Sequence, residues 1–208
     1  MTKNQPLHKF AINSREDLAY AVDVIDGALQ SVNDYLKVNP RSRGRIRFPQ
    51  GQLGTVAQHL GKFDWVGSDV LATNLANQYV FLDLLQWVLN RTDLMGAART
   101  MLFKNIVVVC GSIVEALLDS AATKVGIDAD KFMNRNRKLK SKNVIDANLL
   151  DELSWLWRLR GKIHLHILDD FEQQLYKADD ARRALKIASD VVITLHVYFS
   201  HISSSSRK

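Results

Sequence analysis

Ile106-Val107-Val108-Val109-Cys110-Gly111-Ser112-Ile113-Val114-Glu115-Ala116-Leu117-Leu118 is the stretch whose reading decides the fold. Its first four residues are all β-branched, and in isolation they read as a buried strand. The flanks point the other way. Ala97-Ala98 upstream and Glu115-Ala116-Leu117-Leu118 downstream are strong helix formers. We therefore expect a single buried helix over 94–125, closed by Gly126. With that run helical, the expectation for the chain is an all-α protein without a sheet, and a strand at 106–109 would overturn it.

Moving outward, apolar residues recur at helical period on both sides. Ser14 stands before Glu16 and Asp17, a capping hydroxyl followed by acids that suit the positive end of a helix. Leu18, Val22, Ile25, Leu29, Val32 and Leu36 then form one stripe, which Asn39-Pro40 ends. A short helix is expected over 55–60 and a break over 61–67. Ser68 or Asp69 caps the next helix, with Leu71, Leu75, Tyr79, Leu82, Leu85 and Leu89 on its inner face. Residues 128–143 read as a polar connection with some helical potential. Asp146 caps a helix carrying Leu149, Leu153, Leu156, Trp157 and Ile163. A last helix over 179–201 presents Leu185, Ala188, Val192, Leu195 and Phe199. The expected shared core is Ile113, Leu117, Leu149, Leu153, Leu156, Leu185, Val192 and Leu195.

Composition narrows the function classes. The chain has 208 residues, enough to bury a core without staples. A single cysteine, Cys110, excludes an internal disulfide framework and a Cys-based zinc site. Burial in its apolar run is expected to leave that thiol protonated and inert. Three prolines and ten glycines are too few for a turn-rich sandwich. No run reaches about 18 unbroken apolar residues, so no membrane span is expected. The first 13 residues are polar and carry no apolar signal core, so a cytoplasmic location is the expectation. No Gly-rich phosphate loop, His-Glu-x-x-His or Gly-x-Ser-x-Gly occurs, and His8, His59, His196 and His201 are dispersed without ligand spacing. No metal or cofactor is expected.

The formal charge is +6, and its clustering matters more than its size. Trp155-Leu156-Trp157-Arg158-Leu159-Arg160-Gly161-Lys162-Ile163-His164-Leu165-His166 places Arg158, Arg160, Lys162, His164 and His166 within nine residues. On a continuous helix Arg160 and His164 share a face, as do Lys162 and His166. Like charges there repel, and an anion would relieve them. Arginine and histidine suit a phosphate that must be held while protons move near neutral pH. The structural alternative is a basic helix end complementing its own dipole. Glu115 is costly to bury unpaired in so apolar a helix, so Arg158 or Arg160 is its natural partner. A salt bridge that fixes the arginine is favoured over a catalytic acid.

Two further basic tracts fall in expected loops: Arg41, Arg43, Arg45 and Arg47 beside Phe48, and Lys131, Arg135, Arg137, Lys138, Lys140 and Lys142. Either tract suits an RNA backbone, and either equally suits a solvated surface.

Arg160-Gly-Lys-Ile-His-Leu-His166 resembles the Arg-x(4–6)-His signature of HEPN domains. A second register, Arg158 to His164, fits as well. The segment 108–118, with its lone Glu115, is similar to the apolar helix that opens many HEPN bundles. The resemblance covers roughly 94–202. Gly161 departs from it, standing where a polar residue usually follows the arginine.

The resemblance implies a HEPN-like helical bundle over 94–202 and leaves residues 1–93 as an N-terminal helical extension. The tail over 203–208 is expected to be disordered, as chain ends fray. The resemblance also implies a homodimer that brings two signature segments together; one arginine and one histidine per chain are too few for both acid and base, and Trp155 or Trp157 is expected to contribute apolar area near the axis. The implied activity is metal-independent RNA cleavage by a toxin or defence effector, with an antitoxin or other protein as a further partner. Ribose 2′-OH attack would leave a cyclic phosphate. Arg160 and His166 lead as catalytic pair, Arg158 and His164 stand in reserve, and Glu115 and Lys162 support. The competing implication is a non-catalytic HEPN-like module that binds nucleic acid or a protein.

Overall fold

The computed structural model describes residues 11–40, 51–128, 131–163, 171 and 174–205. The chain divides into two compact units, Met1–Pro49 and Gln50–Lys208. The division falls between residues 49 and 50, so residues 51–93 of the expected extension belong to the same unit as the later helices.

The first unit contains α1 (Arg15–Val38). Its N-terminus is a capping box. Ser14 Oγ accepts from Asp17 N–H at 3.0 Å, and Asp17 Oδ2 accepts from Ser14 N–H at 3.0 Å. The amides of Asn13 and Ser14 bond this carboxylate and hold the Asp17 pKa below its ordinary value. At the other end Asn39 N–H returns to Tyr35 O at 3.0 Å, just before Pro40.

The second unit is built from α2 (Val56–Leu60), α3 (Asp69–Arg91), α4 (Gly96–Lys124), α5 (Phe132–Ser141), α6 (Ala147–Arg160) and α7 (Ala178–Ser205). A 3-10 turn, Gly161–Ile163, continues α6. No strand occurs among the described residues, and the fold is all-α.

The β-branched run lies inside α4 because most of the helix is buried. Ile106, Val107, Val109, Cys110, Ile113, Val114, Leu117 and Leu118 are in the core, with α3, α5, α6 and α7 packed around the helix. Asn105, Ser112, Glu115 and Asp119 leave one narrow polar stripe that borders solvent. A helix this apolar is a core helix or a membrane span. By length and composition α4 qualifies as a span, but 61% of its most apolar window is buried within the protein. Gly126, at φ +68°, closes it, with Ile127 N–H reaching Ala122 O at 2.8 Å.

Leu153, Leu156, Ile187 and Leu195 meet α4 in the core, and Trp65 stacks on Phe199 with ring centres 4.7 Å apart. Of the expected core only Leu185 is half-buried. The helical potential of the polar connection 128–143 is realised in a ten-residue helix, α5, followed by Asn143 at φ +57°. Two expectations are corrected. The helix expected to carry Ile163 ends at Arg160, because Gly161 is a poor helix former at its C-cap. The tail expected to be disordered from 203 is helical through Ser205.

Candidate functional site

The cluster read from the sequence begins at the last turn of α6. Asp146 starts this helix by accepting from Leu149 N–H at 2.7 Å, and Leu149, Leu153 and Leu156 bury its inner face. Arg158 and Arg160 are two residues apart, hence about 200° apart around the axis. They cannot both reach Glu115. The structure chooses Arg160, whose Nη2 lies 3.2 Å from Glu115 Oε2. Arg158 is exposed and turns its Nε back to Ser154 O at 3.3 Å.

Gly111 makes this approach possible. A Cβ at Gly111 would stand 3.1 Å from Arg160 Cδ and 3.2 Å from its Cγ. The bare backbone of α4 is thus a groove for the arginine stem, one turn before the glutamate that holds its head. The guanidinium also lies over Trp157, 5.2 Å from the ring centre, and Trp157 stacks on Phe132 at 4.2 Å. Arg160 Nε is buried and has no partner among the described residues. The Arg160 and Glu115 side chains remain 26% and 36% exposed, so the pair borders solvent. A pair in this position contributes on the order of 1 kcal/mol. Its main consequence is orientation: one guanidinium is held at the end of α6, with exposed Lys162 close by in sequence.

His164 and His166, the expected acid–base groups, lie outside the described residues, as do Arg41, Arg43, Arg45 and Arg47. The shared helical face expected for Arg160 and His164 is not supported by a continuous helix, since α6 stops at Arg160.

The second basic tract is rearranged by α5. Arg135 does not belong to a free nucleic-acid face: it is buried, and its Nη1 donates to Asp119 Oδ1 at 2.6 Å. Arg137, Lys138 and Lys140 are exposed. Lys138 Nζ donates to Asp128 O at 2.6 Å, beyond the end of α4, and Lys142 Nζ donates to Val125 O at 2.8 Å, placing a cation at the negative end of that helix.

Cys110 is fully buried, and burial pushes its thiol up to about 12. Among the described residues no group of three or more His, Cys, Asp or Glu could hold a metal ion. The sequence reading missed one polar assembly, His59 with Asp83 and Lys62. Lys62, three residues after His59, was the only local signal. No protein-family model, curated protein or solved structure matches this chain.

Proposed function

We propose that the chain is a HEPN-type, metal-independent RNA endonuclease that acts as a homodimer. The observation that carries this reading is the seating of Arg160. Gly111 admits its stem, Glu115 holds its head at 3.2 Å and Trp157 lies beneath it. A guanidinium fixed at the solvent border has the planar geometry needed to contact a phosphoryl group as charge builds on its oxygens. In this reading His166 moves the proton during attack of the ribose 2′-OH, with His164 in reserve. One arginine and one histidine per chain are too few for both acid and base, so the second copy completes the set. The exposed Arg137, Lys138 and Lys140 on α5 provide cations for the RNA backbone.

The alternative is a non-catalytic helical module of the same type, binding nucleic acid or a protein. It is favoured by the engagement of Arg160, whose Nη2 already has a carboxylate partner. The deciding experiment is digestion of RNA by wild type, Arg160→Lys and His166→Ala, with and without EDTA, reading product ends for cyclic phosphate. The nuclease reading requires activity that survives EDTA and falls about 100-fold or more in His166→Ala. Absent wild-type cleavage, or cleavage that persists in both variants, gives the site to the binding module.

A further inference from the structure

The assembly around His59 lies where α2 and the turn after it meet α3. His59 is buried. Its Nε2 stands 2.9 Å from Asp83 Oδ2, and its Nδ1 stands 3.0 Å from Lys62 Nζ. An ammonium only donates, so Nδ1 is the acceptor and the ring proton sits on Nε2, facing the carboxylate. The same carboxylate oxygen accepts from Gly54 N–H at 2.9 Å. Gly54 closes against the pair so tightly that a Cβ there would lie 2.4 Å from His59 Nε2. Lys62 Nζ rests 4.3 Å from the centre of the Tyr79 ring. The lysine head is therefore fixed between an imidazole and an aromatic face. It is not swinging in solvent.

Lys62, Tyr79 and Asp83 line a cavity of about 410 Å³ between α3 and α7. Lys62, Asp83 and Ser189 give it polar lining; Leu185, Val192 and Ile193 give it an apolar wall. Its size falls within the range of small-molecule sites, about 300–1,000 Å³. The charges on its lining are of opposite sign. A simple carboxylate would gain Lys62 but face Asp83, and a simple amine would gain Asp83 but face Lys62. A molecule carrying both charges at one end gains both contacts. Two of the donors that fix Asp83 converge on Oδ2; an incoming ammonium would take Oδ1. Burial also lowers the Lys62 pKa, with Asp83 opposing the shift, so an anionic neighbour would relieve a desolvated cation.

We propose that this cavity binds a small zwitterion with an apolar body, the class of an aliphatic or aromatic α-amino acid. Lys62 takes the carboxylate, Asp83 takes the ammonium, and Leu185, Val192 and Ile193 receive the side chain. His59 and Gly54 are positioning residues that hold Asp83 and Lys62 in register.

The test is a titration of the ¹⁵N-labelled full chain with L-leucine and L-phenylalanine, following backbone amide shifts. Two analogues each lack one charge: 4-methylpentanoate and 3-methylbutylamine. The expected result is saturable shifts at Lys62, Asp83 and Ser189 with at least one amino acid, and affinity about 10-fold weaker for each analogue. Lys62→Met should remove the advantage of leucine over 3-methylbutylamine, with far-UV circular dichroism checking its fold. Ser189 is exposed, so Ser189→Phe should preserve the helix while filling the cavity and abolishing all binding. No saturable shift with either amino acid up to about 10 mM would overturn the proposal. Equal binding of either analogue, or binding intact in Ser189→Phe, would do the same.

Discussion

The Arg160–Glu115 contact joins α6 to α4, and a double-mutant cycle measures it directly. Three interactions end together in Arg160→Ala: the 3.2 Å ion pair, the guanidinium over Trp157 and the stem seated on Gly111. With side chains 26% and 36% exposed, the pair itself contributes about 0.5–1 kcal/mol. The contact with Trp157 adds about 0.5–1 kcal/mol, and loss of the packed stem brings the total to roughly 2 kcal/mol. Glu115→Ala removes only the pair and leaves the guanidinium half-covered, for about 1 kcal/mol. The double variant should fall short of the summed losses by the pair's own 0.5–1 kcal/mol, on the order set by exposed to half-buried pairs. Urea unfolding followed by circular dichroism reads this out. At a slope of about 2 kcal/mol per molar urea, each 1 kcal/mol moves the midpoint by about 0.5 M. Arg158→Ala, in the same series, should stay within about 0.5 kcal/mol of wild type. A coupling energy below about 0.3 kcal/mol would refute the claim that Glu115 holds Arg160.

Other perturbations test the remaining geometry. Gly111→Val should destabilise by about 1–3 kcal/mol in thermal or urea unfolding, because its methyl groups enter space now filled by the Arg160 stem, 3.1 Å from a Cβ at that position. Leu153→Ala, at a fully buried position, should cost about 2–5 kcal/mol in the same assay. Native Cys110, its thiol raised to about 12 by burial, should resist iodoacetamide at pH 8 and react only after denaturation, as read by intact mass. Glu152 accepts two bonds from Arg183, at 2.7 and 2.9 Å, which hold its pKa below the ordinary 4.5. Its stabilisation is fully present above that value and is lost as pH falls through the lowered, folded-state pKa. The urea midpoints of wild type and Glu152→Gln should therefore converge as pH is taken below 4.5. A gap that stays constant through acid would contradict the assignment.

What depends on neighbours within about one helical turn is legible in the residues alone. Ser14, Ser68 and Asp146 each precede a helix that their side chains cap, because capping joins a side chain to an amide three residues on. The inner faces of α3, α6 and α7 follow from apolar spacing. Helix formers on both sides of Ile106–Val109 outweigh its β-branched residues, since the run continues a helix already begun. The need of Glu115 for a cation was equally visible, as a carboxylate in an apolar helix must find one.

Packing between distant segments decided the rest. Nothing local distinguishes Arg158 from Arg160 as the partner of Glu115. The rotation of α6 against α4 does, by turning one toward Gly111 and the other to solvent. Arg135 looks like its basic neighbours in the sequence, yet the face of α5 that meets α4 buries it against Asp119. His59 and Asp83 are 24 residues apart, and only the closing of α2 onto α3 makes them a pair. Helical period and capping act over three or four residues, whereas these contacts depend on how whole helices are rotated and docked, which no short window of sequence encodes.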